Sequence, residues 1–303
     1  MYDLGEIIRK RSMPTLQRSY YDPFNIKSSW QFMPQDANTD HLVSFKFAQD
    51  SPHIDCARPY SILDGYSGKI DILQAKSQLM ASALSQGYYV VISDYEGPLM
   101  EFSTARVPAK ATLDSIRAVL QTELCTELSS SAKAVMWGYS GGPAYAPDLG
   151  AYLIGAAFGG WLTDLREAAL TIDGTYAAGI IPLAVHGLIN LYPELSDLLR
   201  GQITNPENGT TLSGVITGSD PVFTGGAAIV DLPDIKAAIE ENVVGLRQSD
   251  GMPEIPLFVH HGLRDKIIDV TQTEHGFNRL CEFGVESFEL AILETTGHLA
   301  EMV

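Results

Sequence analysis

The residues around which any chemistry in this chain must be built are Gly138-Tyr139-Ser140-Gly141-Gly142, a serine with glycine two residues away on either side. A serine hydroxyl is a poor nucleophile until an imidazole takes its proton. The imidazole in turn needs a carboxylate to fix its tautomer and to stabilise its charged form. Further along, the chain offers Asp265 and then His298, which gives the order serine, acid, histidine that accompanies a G-x-S-x-G elbow. Such an elbow turns sharply out of a strand, and its glycines are needed where strand and helix approach too closely for a Cβ. An oxyanion forming at this serine would need two preorganised N–H donors, and the residue after the nucleophile, Gly141, supplies one.

Other residues compete for these roles. Asp269 rivals Asp265 as the acid, but Asp265 lies nearer the end of a strand, where open α/β sheets hold their chemistry. His275 sits in a helical pattern and reads as solvated. His260 and His261 are adjacent on a strand and point to opposite faces, which suits one core and one rim residue better than a metal site. The cysteines, Cys56, Cys125 and Cys281, have no metal-ligand spacing and allow at most one disulfide. With 37 acidic and 20 basic side chains the net charge is -17, which repels a phosphate backbone and argues against nucleic-acid partners.

The elements that must position these residues alternate. Leu42 to Phe47 reads as a strand within an otherwise irregular first 60 residues. Residues 70 to 86 carry a helical apolar face ending at Gly87, and Tyr88 to Ser93 is a short buried strand. A helix follows with Leu113, Ile116, Leu120 and Leu124 on one face, and Ala132 to Trp137 is the strand that feeds the elbow. Pro143 and Pro147 leave no room for a long helix after it, and Ala151 to Phe158 reads as the next strand. Later come a short helix from Pro193 to Arg200 with proline in an early position, and a helix with Leu232, Ile235, Ile239, Val243 and Leu246 on one face. A strand at Pro256 to His261, a helix at Val270 to Phe283 and a strand at Ser287 to Leu293 lead to His298. The pattern predicts one α/β domain over residues 1–303 with a largely parallel sheet. Residues 159–226 do not read as sheet and form an insert suited to capping the site. Ala177 to Leu191, the most apolar stretch, is too short for a bilayer span of about 20 residues and reads as buried in protein.

Several stretches together resemble the fungal secretory lipase family, of the lipase A type of Candida yeasts. They are Gln49-Asp50-Ser51 with Asp55-Cys56-Ala57, GYYVVISDYEG (87–97), LDSIRAVL (113–120), GYSGG (138–142), YAPDLG (145–150), GAAFGG (155–160) and TGHLAEMV (296–303). The resemblance implies an α/β-hydrolase fold that cleaves carboxylic esters, lipids included, without a cofactor. It implies Ser140 as nucleophile, Asp265 as acid and His298 as base, and adds the backbone N–H of Asp50 as the second oxyanion donor beside that of Gly141. The chain departs from the family in a shorter stretch between the elbow and YAPDLG, a shorter insert and an earlier end.

Two rival expectations accompany this reading. The same three residues can transfer an acyl group to an alcohol where water is excluded, and a chain without the post-elbow helix can bind a ligand without turning it over. The region from Gly160 to Leu199 is also the place for transient contact with a lipid surface. As written, the N-terminal MYDLGEIIRKRSM lacks the apolar core of an export signal, which points inside the cell, whereas the resemblance points to secretion.

Overall fold

The computed structural model describes residues 29–46, 48–53, 79–140, 152–202, 223–243, 247–298 and 300. Its backbone is one seven-stranded sheet: β1 (Ser29–Phe32), β2 (His41–Lys46), β3 (Tyr89–Ser93), β4 (Lys133–Tyr139), β5 (Leu153–Gly159), β6 (Leu257–Gly262) and β7 (Phe288–Leu293). They lie in the order β1-β3-β2-β4-β5-β6-β7, with β1 antiparallel to β3 and every other pair parallel. Because the parallel strands point the same way, the C-terminal ends of β2, β4 and β6 share one edge, and the loops beyond them can converge.

Burial follows the alternation of side chains along a strand. In β2, Leu42 joins one core cluster with Leu113, Ile116, Val119 and Leu120 of helix α1 (Arg106–Leu120). Its neighbour Val43 and then Phe45 face the other side, against Met80 and Leu84 of the helical residues 79–85. All five residues of β3 are buried, as a continuous apolar run in the middle of a sheet should be. A third cluster joins Trp161 and Val259 to Leu280 of the helix Val270–Phe283.

Four sequence expectations are corrected. The first 60 residues contain a second strand, β1, whose four residues SWQF are too few to show a period. Leu124 does not continue the face of α1. That helix stops at Leu120, and Leu124 belongs to a separate turn, α2 (Glu123–Thr126), where it is fully exposed. Pro193 precedes its helix, which begins at Leu195, rather than occupying its first turn. The helix after residue 232 ends at Asn242, so Val243 is its cap, and Leu246 lies outside the described residues.

Between β5 and residue 202 the described chain has three helices and no strand: α3 (Leu165–Ile172), α4 (Ile180–Leu191) and α5 (Leu195–Arg200). They share a core with Phe223, Ala227, Ile229 and helix α6 (Pro233–Asn242), which supplies Ile235, Ala238 and Ile239. The apolar stretch 177–191 is thus spent on this core, and no helix among the described residues is long and apolar enough to cross a membrane.

Helix α4 is pressed onto the loop between β3 and α1. Ser103 Oγ donates to Ala184 O at 2.8 Å, and Asn190 Nδ2 donates to Met100 O at 3.0 Å. Gly187 lies between those contacts, where a Cβ would stand 2.0 Å from Phe102 O. Asn242 closes the joint from α6: its Oδ1 accepts the Ala105 N–H, and its Nδ2 donates to Tyr192 Oη and to Ala238 O. The last helix, α7 (Val270–Phe283), packs on the sheet through Leu280 and ends at Gly284, which takes a left-handed φ of 90°.

Candidate active site

Ser140 directly follows β4 and takes a left-handed φ of 59°, a conformation that costs a residue with a Cβ of order 1 kcal/mol or more. The turn is anchored by its own N–H, which donates to Gly159 O of the adjacent strand at 2.9 Å. The strained turn lifts the hydroxyl off the strand while its backbone stays tied to the sheet. The side chain before it, Tyr139, is fully buried and meets the His298 ring edge-on at 5.2 Å.

Asp265 lies in the turn beyond β6. Its Oδ1 accepts the N–H groups of Ile267 and Ile268 at 2.8 and 2.9 Å, and its Oδ2 accepts Nδ1–H of His298 at 2.6 Å. The loop carrying His298 is pinned beside it: Arg264 N–H donates to Thr296 O, and Leu263 N–H donates to Leu293 O. An ionised carboxylate can only accept, so Nδ1 of His298 holds the proton and Nε2 presents a lone pair. That Nε2 stands 2.9 Å from Ser140 Oγ. The three side chains are 7%, 5% and 6% exposed, so the chain of contacts runs through a largely water-excluded space.

Burial by itself would raise the Asp265 carboxyl. Hydrogen bonds from His261, His298 and the Ile267 N–H together outweigh it, and hold the group well below the usual carboxylate range. The arrangement can move the serine proton onto an imidazole whose resulting charge is already countered. That is the requirement for nucleophilic attack on an acyl carbon.

The competing residues fall elsewhere. Asp269 caps α7, its Oδ1 accepting the Thr271 N–H at 2.9 Å and the Thr271 hydroxyl. His275 is exposed on α7, His260 is partly buried, and His261 is entirely buried. Asp50 follows β2 with a left-handed φ of 51°, at the same edge of the sheet as the elbow, since Lys46 pairs in register with Gly138. The side chain before it, Gln49, donates to Glu96 Oε2 at 2.7 Å and so ties this segment to the loop that carries α4. Gly141, Pro143 and Pro147 lie outside the described residues, as does Cys56, while Cys125 and Cys281 are free and exposed. Among the described residues no group of His, Cys, Asp and Glu is arranged to hold a metal ion.

Two residues beside the site carry no sequence signal. Lys46, at the end of β2, is 2% exposed, and among the described residues its ammonium has a hydrogen bond to the Ser93 hydroxyl, at 2.5 Å. Burial lowers its pKa to about 7. His261 is the buried member of the adjacent pair from which the sequence expects one core and one rim residue, and it touches the acid itself. Charge inside a central strand and a histidine on an apolar face both need the third dimension to be understood.

With this geometry in hand, residues 69–303 match the family model described as secretory lipase. Lipase 1 of Candida albicans is 34% identical over 346 residues, covering 99% of this chain and 74% of that protein. The aligned span exceeds the 303 residues of this chain, so the relative carries residues absent here, in keeping with the shortened segments read from the sequence. The trichothecene C-3 esterase of Fusarium sporotrichioides is 30% identical, over 81% of this chain and 59% of that protein. Among solved structures, Candida antarctica lipase A in its closed state superposes with a TM-score of 0.74 at 23% identity, covering 90% of this chain and 69% of that one. At that identity the likeness speaks to the fold, which is that of the α/β-hydrolases.

Proposed function

The chain belongs to the secretory lipase family and is a carboxylic ester hydrolase, and we propose that it cleaves apolar esters through an acyl-serine intermediate on Ser140. The observation that carries this reading is the unbroken pair of contacts on His298: Nδ1 on Asp265 at 2.6 Å and Nε2 on Ser140 Oγ at 2.9 Å. A binding protein would have no use for a carboxylate, an imidazole and a strained hydroxyl in series.

Ser140 Oγ attacks the ester carbonyl carbon as its proton passes to His298 Nε2. The imidazolium so formed is stabilised by Asp265. The negative charge on the former carbonyl oxygen falls to the N–H groups of Gly141 and Asp50. For Asp50 the support is its position beyond β2, one strand from the elbow, together with its left-handed φ and the Gln49–Glu96 contact that holds its neighbour. Collapse of the tetrahedral species breaks the ester C–O bond, and the departing alcohol takes the proton from Nε2. Water then repeats the sequence on the acyl-enzyme: His298 takes its proton, the acid is released and Ser140 is regenerated. Every group the two steps need is supplied by the chain.

Residues 159–226 act as a cap in this reading. Support comes from the three helices that follow β5 and from their attachment, through Ser103 and Asn190, to the loop bound to Gln49. The relatives named lipases and the one named an esterase make an ester or lipid the substrate class.

Intact mass after exposure to a fluorophosphonate tests the reading. One adduct is expected on the wild-type chain and none on Ser140→Ala, together with hydrolysis of p-nitrophenyl esters that the variant loses by a factor of about 10³ or more. A folded wild-type chain that takes no adduct, or a variant that keeps its activity, overturns it.

A further inference from the structure

The Asp265 carboxylate has about four lone-pair sites, and the structure fills them with four donors. Two, the Ile267 and Ile268 N–H groups, lie on Oδ1. The third is His298 Nδ1–H on Oδ2. The fourth is Nε2 of His261, 3.3 Å from the same Oδ2.

That Nε2 carries a proton in every state of the ring, because it also stands 2.9 Å from Ile268 O, a carbonyl that can only accept. The other nitrogen, Nδ1, is seated on Thr273 Oγ1 of α7 at 2.6 Å, and Thr273 in turn reaches Trp161 O at 3.3 Å. The imidazole is wholly buried and fixed at both ends, by the acid loop and by a helix. A histidine kept only for packing would be satisfied by Ile268 O and Thr273; its approach to the acid would be superfluous.

Resting on the acyl-serine reading, we propose that His261 is a positioning residue for the catalytic acid: its Nε2–H and the Nδ1–H of His298 converge on one carboxylate oxygen of Asp265, and the second imidazole holds that oxygen in line with the first. The backbone donors act on Oδ1, so at Oδ2 the His261 contact is the one donor that stands beside His298 and bears on the angle at which that oxygen meets it. Its effect belongs in the step that charges His298 and leaves substrate binding untouched, because His261 acts only through Asp265.

The test compares His261→Met, which approximates the volume without a donor, with His261→Gln, whose amide nitrogen can replace Nε2–H. Circular dichroism and thermal unfolding first establish that each variant is folded. The expected result is a kcat for His261→Met about 10-fold below wild type with KM within 2-fold, a fluorophosphonate labelling rate reduced by the same factor, and a kcat for His261→Gln within about 3-fold of wild type. In proton NMR, the low-field imidazole proton of the His298–Asp265 hydrogen bond should shift or broaden in the Met variant and return in the Gln variant. That signal does not depend on turnover, so it judges His261 even where labelling of Ser140 fails and the acyl-serine reading falls. Should His261→Met not fold, Thr273→Val removes the hydroxyl that seats the ring, with a kcat loss of about 3-fold at unchanged KM expected. Wild-type kcat and an unmoved low-field proton in a folded Met or Val variant, or a Gln variant as slow as Met, would overturn the proposal.

Discussion

At the scale of single residues, the site combines groups whose ionisation is set by opposite means. Asp265 is buried yet held ionised by its donors, whereas Lys46 is buried beside the Ser93 hydroxyl and is pushed by that burial toward the neutral amine. The sign of the second effect follows from linkage. An unfolded lysine keeps its proton to pH 10.5 and the folded one only to about 7, so between those values the unfolded state binds more protons and stability rises with pH. Below pH 7 the folded chain carries the full cost of a buried charge, of order 5 kcal/mol. Lys46→Met should therefore stabilise the fold by about 3 kcal/mol at pH 6, after allowing for the Ser93 hydroxyl left without its partner. The gain should shrink as the pH approaches 10. Urea unfolding of both chains at pH 6, 8 and 9.5 checks it, and a gap independent of pH would show that the amine is not what titrates. None of this is legible in the letter K at the end of HLVSFK, because a lysine ending a strand ordinarily reaches water. It is buried here only because β2 lies between β3 and β4. That Ser140, Asp265 and His298 are brought together is legible for the converse reason: their order along the chain and their places beyond strands are local facts.

At the scale of elements, the strands β2 to β7 and α7 could be read from periodicity and from their glycine and proline boundaries. β1 could not, since four residues hold too little pattern, and Leu124 misled because a helical period says nothing about where the backbone stops. The joint between α4 and the loop carrying Met100, Phe102 and Ser103 was equally hidden. A glycine in the middle of IIPLAVHGLINL looks like a weak point in a helix, yet Gly187 is where that helix meets the Phe102 backbone. A methyl group 2.0 Å from a carbonyl oxygen must drive helix and loop apart. Gly187→Ala should thus cost about 1–3 kcal/mol, despite alanine's better helix propensity, which on an open helix would gain up to about 1 kcal/mol. His186→Ala, one position away and exposed, should be near neutral. Thermal unfolding of the pair decides it: a Gly187→Ala chain as stable as wild type would mean that α4 rests on the loop rather than being pressed into it.

At the scale of the whole molecule, the net charge of -17 acts on whatever approaches the edge where Ser140, Asp265 and His298 meet. A neutral ester enters that field without penalty, and the carboxylate released from it is repelled, so the field favours the departure of product. An ester already bearing a carboxylate is penalised on approach. Salt should then separate the two substrates. The screening length falls from about 10 Å at 0.1 M to about 3 Å at 1 M. For a matched pair of short esters, one neutral and one carrying a carboxylate remote from the scissile bond, kcat/KM of the neutral ester should stay within about 2-fold over this range, while that of the anionic ester rises several-fold. Initial rates at four or five salt concentrations suffice to measure it. If the ratio of the two constants does not move with salt, the discrimination is made by groups in contact with the substrate, and the acidic surface has no part in selecting it.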